Sequence, residues 1–188
     1  MSNFKVHTIA ESSGARKKAL EEICKRYGKV PNVIGAMAES PAAVKGYIGL
    51  IDAMRQANFS NTELHVIWFT INVAHSCHYC MSAHSQWAER EAVSQKVIET
   101  ARAGLPYEDK RLEALRAFTK TMVDKRGWAK EEEIEAFLSA GFTQENIFEV
   151  IAAIAYKTMT NYTNHIAEPD LDELYHDHRW STDDLARP

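Results

Sequence analysis

Cys77-His78-Tyr79-Cys80-Met81-Ser82-Ala83-His84 is the stretch on which the reading of this chain turns. If it is helical, at about 3.6 residues per turn, positions 77, 80 and 84 fall on one face, because i, i+3 and i+7 are stacked neighbours. Two sulfurs and an imidazole then share a surface. The pair can close into a disulfide, and the imidazole can draw a proton from the nearer thiol, Cys80. That combination points to redox chemistry. A helix beginning near Cys77 would add the free N–H groups and positive dipole end of its first turn, which favour thiolate.

Working outward, Phe59-Ser60-Asn61-Thr62-Glu63-Leu64 reads as a helix start, with Ser60 and Glu63 at capping-box spacing and Phe59 and Leu64 placed as a hydrophobic staple. The segment from Leu64 to about Val73 is apolar on nearly every side. Its β-branched and aromatic content also suits a buried strand, but the cap and the lack of any partner strand decide for helix. A helix apolar all round belongs inside a bundle or at a subunit contact. It delivers the cysteine segment from a rigid support.

The remainder reads as helix after helix. Residues 14–27 carry Leu20, Ile23, Cys24 and Tyr27 at helical spacing with Gly28 as the stop, and Cys24 is expected to be a buried core residue. Pro31 interrupts before a short apolar piece from Asn32 to Ala38. Ser40 and Pro41 open a helix to about Ala57. After the motif the helix is expected to continue to about Ala92, and Ser94 starts another that Gly104-Leu105-Pro106 closes. A long amphipathic helix is expected over 107–125, a short one from Glu131 to Gly141, and a last one capped by Thr143, with Ile147, Val150, Ile151, Ile154 and Ala155 facing in, to about Asn164. Asn161 and Asn164 are expected to finish that helix end, and His75 and His78 to be exposed. Trp68 and Trp87 read as core or interface aromatics. The tail from Pro169 is polar and acidic, with Tyr175 and Trp180 as docking anchors.

Composition bounds the rest. At 188 residues the chain fits one domain, 1–188, and its net charge of −4 comes from 22 basic and 26 acidic side chains that are interspersed. Such a balance offers neither a basic stripe for nucleic acid nor a polybasic membrane anchor. No apolar run reaches the roughly 18–20 residues of a membrane span. Met1-Ser2-Asn3-Phe4-Lys5 lacks the apolar core of a secretion signal, so the expectation is a cytoplasmic protein. In a reducing compartment a close cysteine pair is more often catalytic or metal-binding than structural. A zinc site would need further ligands from His65, His75 or His78 beside His84, and a haem attachment site would need histidine where Met81 stands.

The stretch Cys77 to His84 resembles the alkyl hydroperoxidase D and carboxymuconolactone decarboxylase family, whose redox-active branch carries C-x-[HY]-C-x-x-x-H. The likeness extends to Tyr27-Gly28-Lys29-Val30-Pro31-Asn32-Val33 upstream. Downstream it includes Ala140-Gly141-Phe142-Thr143 and Asn161-Tyr162-Thr163-Asn164-His165, so that roughly residues 20–170 are covered.

The resemblance implies an all-α bundle that forms homo-oligomers. It implies that Cys80 is the thiolate that attacks peroxide, and that Cys77, more exposed, resolves the sulfenic acid and exchanges with an external reductant. It implies that His84 belongs to a proton relay, and that Tyr79 fills the aromatic or histidine position between the sulfurs. It departs at one point. The peroxidase members carry a glutamate twelve residues before the first cysteine, where this chain has His65, and Glu63 is better used in the capping box. His65 is either a relay residue or a satisfied core histidine.

The expected function is a thiol-dependent peroxidase or disulfide oxidoreductase acting on a hydroperoxide or other small molecule. It would take a dithiol or protein reductant and need no cofactor or metal. The alternatives are a decarboxylase-type lyase and a non-enzymatic redox-sensing or metal-binding oligomer. Oligomerisation is expected from the apolar surface of 64–73 and 147–155 as well.

Overall fold

A computed structural model describes residues 4–186. The first three residues, part of the N-terminal stretch read above, and the last two of the tail lie outside the described residues. The chain forms nine α-helices and no strand among the described residues: α1 Gly14–Tyr27, α2 Asn32–Met37, α3 Pro41–Met54, α4 Asn61–Ala74, α5 His78–Arg90, α6 Gln95–Arg102, α7 Lys110–Asp124, α8 Glu131–Ser139 and α9 Gln144–Ala167. No helix among the described residues is long and apolar enough to cross a membrane.

The boundaries follow the caps. Ser60 Oγ accepts from the Glu63 N–H at 3.3 Å while Glu63 Oε2 accepts from the Ser60 N–H at 2.8 Å, closing the capping box of α4. Ser40 caps α3 with Pro41 at its first position, and Thr143 caps α9 through reciprocal bonds with Asn146. Helix α7 begins at Lys110 rather than 107, because Asp109 takes the free N–H groups of Arg111 and Leu112. Gly28 ends α1 at φ 75°.

Helix α4 sits at the centre, packed against α5, α6, α7 and α9. Its Val66, Ile67, Phe69 and Ile71 are buried in one apolar core, which continues through stacked rings of Phe118, Phe137 and Phe142 with centroids 4.2 and 4.4 Å apart. Each such side chain, fully buried, stabilises the fold by about 1.5–3 kcal/mol. A second core joins α1, α2 and α3 to the head of α5, and both cysteines of the motif lie in it. Trp68 of α4 touches both cores. The site is thus set in the wall between two packed layers.

The tail docks as expected of its aromatics, with Tyr175 and Trp180 buried. Trp180 Nε1 donates to the Arg102 carbonyl at 2.8 Å, and Tyr175 packs edge-on against Tyr79 at 6.0 Å. Two expectations fail. Cys24 is partly exposed, not core, because the buried stripe of α1 runs through Leu20 and Ile23 and leaves Cys24 at its edge. Ile151, 43 % exposed, and Ala155 face outward, since the inward stripe of α9 runs through Val150, Ala153 and Lys157 instead.

Candidate active site

The turn between α4 and α5 fixes the first cysteine. Ser76 takes the left-handed conformation at φ 52°, and the Cys77 N–H bonds back to the Asn72 carbonyl and the Ser76 N–H to the Val73 carbonyl, each at 2.9 Å. This is the Schellman closure of α4, built on a serine where glycine is the usual residue, at a cost of roughly 1–2 kcal/mol. Cys77 immediately becomes the N-cap of α5, so Cys80 stands in its first turn. The expectation of a helix start at the motif therefore holds.

Both thiols are free, and each lies close enough to govern the other's ionisation. Their accessibilities are 1 % for Cys77 and 3 % for Cys80. The greater exposure expected of Cys77 is not seen. The tail passes over the head of α5, where Asp172 accepts from the Tyr79 hydroxyl, from Lys29 Nζ at 2.9 Å and from the Asn32 N–H at 3.1 Å. Tyr79 thus fastens the tail to the motif. Burial, then the charge of Asp172, raises its phenol pKa far above normal, so it stays neutral.

The groups around Cys80 come largely from α9. Burial pushes the Cys80 thiol up, but the hydrogen bond from Cys77, the Lys157 ammonium and the side chains of Asn161 and Thr160 outweigh it, and the net displacement is downward. Cys77 moves upward, chiefly through its bond to Cys80 and then through burial. The two directions together favour negative charge on Cys80 over Cys77.

Lys157 is 2 % exposed, and its Nζ donates to His84 Nε2 at 2.8 Å. Burial lowers its pKa, opposed by the two sulfurs. The imidazole of His84 is driven well below its ordinary range by burial, then by Lys157 and His65, and is neutral. His84 is therefore bonded to Lys157, which lines the same chamber as Cys80. Among the described residues no direct hydrogen bond joins His84 to Cys80.

His65 is wholly buried, and its Nε2 donates to Glu91 Oε2 at 3.1 Å. Its ring centroid lies 6.0 Å from that of His84, with Trp68 5.1 Å from each. The partners assign the tautomers. His84 accepts at Nε2 and so carries its proton on Nδ1, whereas His65 donates at Nε2 and, when neutral, has an acceptor at Nδ1. Neither Nδ1 has a partner among the described residues. Glu63 is occupied elsewhere, in the capping box and on Arg111 Nε at 2.8 Å. The carboxylate next to His65 is Glu91, from the far end of α5.

Cys80, His84, Trp87, Tyr156, Lys157 and Thr160 line a small chamber of about 30 Å³. Trp87, Tyr156 and Tyr175 separate it from an open cavity of about 660 Å³. The described residues hold no cluster of three or more metal-ligating side chains. His75 is half-buried rather than exposed, its Nδ1 2.9 Å from Asn161 Oδ1, and Asn161 donates to Asn72 Oδ1 at 3.0 Å. Asn161 is therefore a buried site residue and not a helix terminator.

Lys157, Thr160, Asn161 and Glu91 have no site role in the reading of the sequence, where Asn161 is only a helix-end residue. The first three had a signal: positions 150, 153, 157, 160 and 161 form one helical stripe, so polar residues there lie on the same face as Val150 and Ala153. Glu91 had none, because its partner lies 26 residues away on another helix.

No protein-family profile and no curated protein sequence matches this chain, but solved structures do. It is similar to an uncharacterized peroxidase-related protein from Ralstonia eutropha JMP134, described as an alkylhydroperoxidase AhpD core. The TM-score is 0.77 at 21 % identity, covering 93 % of this chain and 94 % of that one. A peroxidase-related protein from Silicibacter sp. TM1040 gives 0.74 at 18 % identity over 93 % and 95 %. The debrominase Bmp8 gives 0.72 at 18 % identity over 87 % and 89 %. The chain has the all-α AhpD-like fold.

Proposed function

We propose that this protein is a thiol-dependent peroxidase and disulfide oxidoreductase of the reducing cytoplasm. The observation that carries the reading is Lys157, a buried ammonium that donates to His84 and lines the same small chamber as Cys80. A buried cation beside a cysteine in a helix's first turn holds thiolate, the reactive form.

In the proposed cycle the Cys80 thiolate attacks one oxygen of the hydroperoxide. The O–O bond breaks, the departing alkoxide takes a proton from Lys157, and Cys80 becomes a sulfenic acid. The Cys77 thiol then attacks the Cys80 sulfur, water leaves and a Cys77–Cys80 disulfide forms. An external dithiol returns both to the reduced state. Lys157 regains its proton from solvent, while His84 holds its Nζ and His65, fixed by Glu91, packs beside His84. In this scheme Cys80, Cys77 and Lys157 are the catalytic residues. His84, His65, Glu91 and Tyr79 position them.

Peroxide consumption with a dithiol reductant tests the scheme. Cys80→Ser abolishes turnover, and Cys77→Ser stops after one equivalent of peroxide with a trappable sulfenic acid. Equal rates for wild type and Cys80→Ser would end the proposal. The likeness to a debrominase favours a second reading, in which the same two electrons cleave a carbon–bromine bond. Bromide release from a bromopyrrole without peroxide turnover would select it.

The protein is further proposed to act as a homo-oligomer joined through α9. Phe148, Ile151, Tyr162 and Ile166 form an exposed apolar stripe there, whereas the expected contribution of 64–73 is used up inside the chain.

A further inference from the structure

The open cavity beside the chamber has a polarity that the peroxidase reading does not require. Its volume of about 660 Å³ lies within the range of small-molecule sites, roughly 300–1,000 Å³. Ile51, Met54, Leu64 and Leu174 form its aliphatic walls, and Trp68 and Trp87 stand on the side of His84. Four basic side chains, Arg26, Lys29, Arg55 and Arg90, line it against one carboxylate, Glu91.

Two of the four are already neutralised. Arg26 is held by Asp52 and by Glu22, the latter at 2.9 Å, and Lys29 by Asp172 at 2.9 Å. Arg55 and Arg90 are exposed and make no ion pair among the described residues. The single carboxylate is turned to His65. An apolar trough with two uncommitted guanidinium groups at its mouth complements a molecule with an apolar body and an anionic head.

We propose that this cavity binds an amphipathic carboxylate, its head on Arg55 and Arg90 and its apolar chain along the trough toward Trp87, Tyr156 and Tyr175. The physiological hydroperoxide would then be one that carries a carboxylate on an aliphatic chain. That last step rests on the peroxidase reading, but the binding itself does not. The three aromatic side chains at the inner end also line the chamber at Cys80, so an oxidised group on the chain's far part faces the thiolate across them.

The test uses the intact reduced protein and no peroxide. Decanoate, its methyl ester and decyltrimethylammonium are titrated while tryptophan fluorescence is followed, since Trp68 and Trp87 line the cavity. Decanoate is expected to give a saturable change with a Kd at least about tenfold below that of the ester, and the cation to bind most weakly. The double variant Arg55→Ala/Arg90→Ala is expected to weaken decanoate roughly tenfold and leave the ester unchanged. Equal affinity for decanoate and ester in the wild type, an unaltered Kd in the variant, or no saturable change overturns the proposal. If binding fails while peroxide consumption persists, the cavity assignment falls and the peroxidase reading stands. If binding holds without peroxide consumption, the reverse is true.

Discussion

Helices α4 and α9 look alike in the sequence, each rich in isoleucine, valine and aromatics, yet they use that content in opposite ways. Helix α4 turns Val66, Ile67, Phe69 and Ile71 into the core. Helix α9 buries Lys157, Thr160 and Asn161 beside the cysteines and leaves Phe148, Ile151, Tyr162 and Ile166 facing outward. Burying a lone ammonium costs several kcal/mol unless it is partnered, and here the partners are a thiolate and an imidazole. Helix α4 also lends His65 and Asn72 to the site, but most of its inner face is apolar packing, whereas the inner face of α9 around the cysteines is polar.

The largest effect on this contrast is expected from Phe69→Ala in α4. Cavity formation in a buried aromatic site costs about 3–5 kcal/mol. Urea unfolding should show that loss, with the Cys80 ionisation unchanged in protein that remains folded. A loss below about 1 kcal/mol would mean that α4 is not the core helix described here.

The second prediction breaks the outer face of α9. Ile151→Asp places a charge in the exposed apolar stripe, and an oligomer built on it is expected to dissociate at least about tenfold more readily in analytical ultracentrifugation. Wild type that sediments as a monomer throughout the micromolar range would contradict the assignment of that stripe to a second copy.

Such contrasts mark the limit of what the sequence makes legible. Ser60 with Glu63, Ser40 with Pro41, and Thr143 place three helix starts, because caps are local and one residue's side chain meets a backbone three positions on. The cysteine spacing likewise brings Cys77 and Cys80 to the head of α5. Tertiary partners are another matter. Nothing near His65 announces Glu91, and Lys157 reaches His84 across 73 positions. The outward turn of Ile151 was hidden for the same reason. A run such as Ile147, Val150, Ile151 and Ile154 covers too wide an arc to say which edge meets the core. The burial of Cys77 depends on the tail, whose polar composition gives little sign that Asp172 will anchor it to Tyr79.

A smaller effect is expected where Glu91 fixes His65. Glu91→Gln keeps the shape but removes the charge opposite His65, and a positioning role predicts a fall in kcat of about tenfold with KM little changed. The pH profile supplies the discriminating readout. The His65 bond holds the Glu91 carboxyl below its ordinary range, so in the wild type this charge persists into mildly acid solution. Activity should fall toward acid pH as Glu91 gains its proton, and the variant should lack that limb. Identical profiles would remove Glu91 from the account.

The central claim is that Lys157 holds Cys80 as thiolate. Ultraviolet absorbance of the reduced protein, titrated in a Cys24→Ser background, reads it directly, with Lys157→Met compared against its parent. The account predicts one thiolate step in the parent well below the free-thiol value of about 8.5, moving to that value or above it in Lys157→Met. Stability has a definite sign. Because the folded thiol pKa is depressed, ionisation of Cys80 stabilises the parent above the unfolded thiol pKa, and this gain is lost as pH falls through the folded value. A parent step at or above the free-thiol value, or the same midpoint in both proteins, would contradict the account.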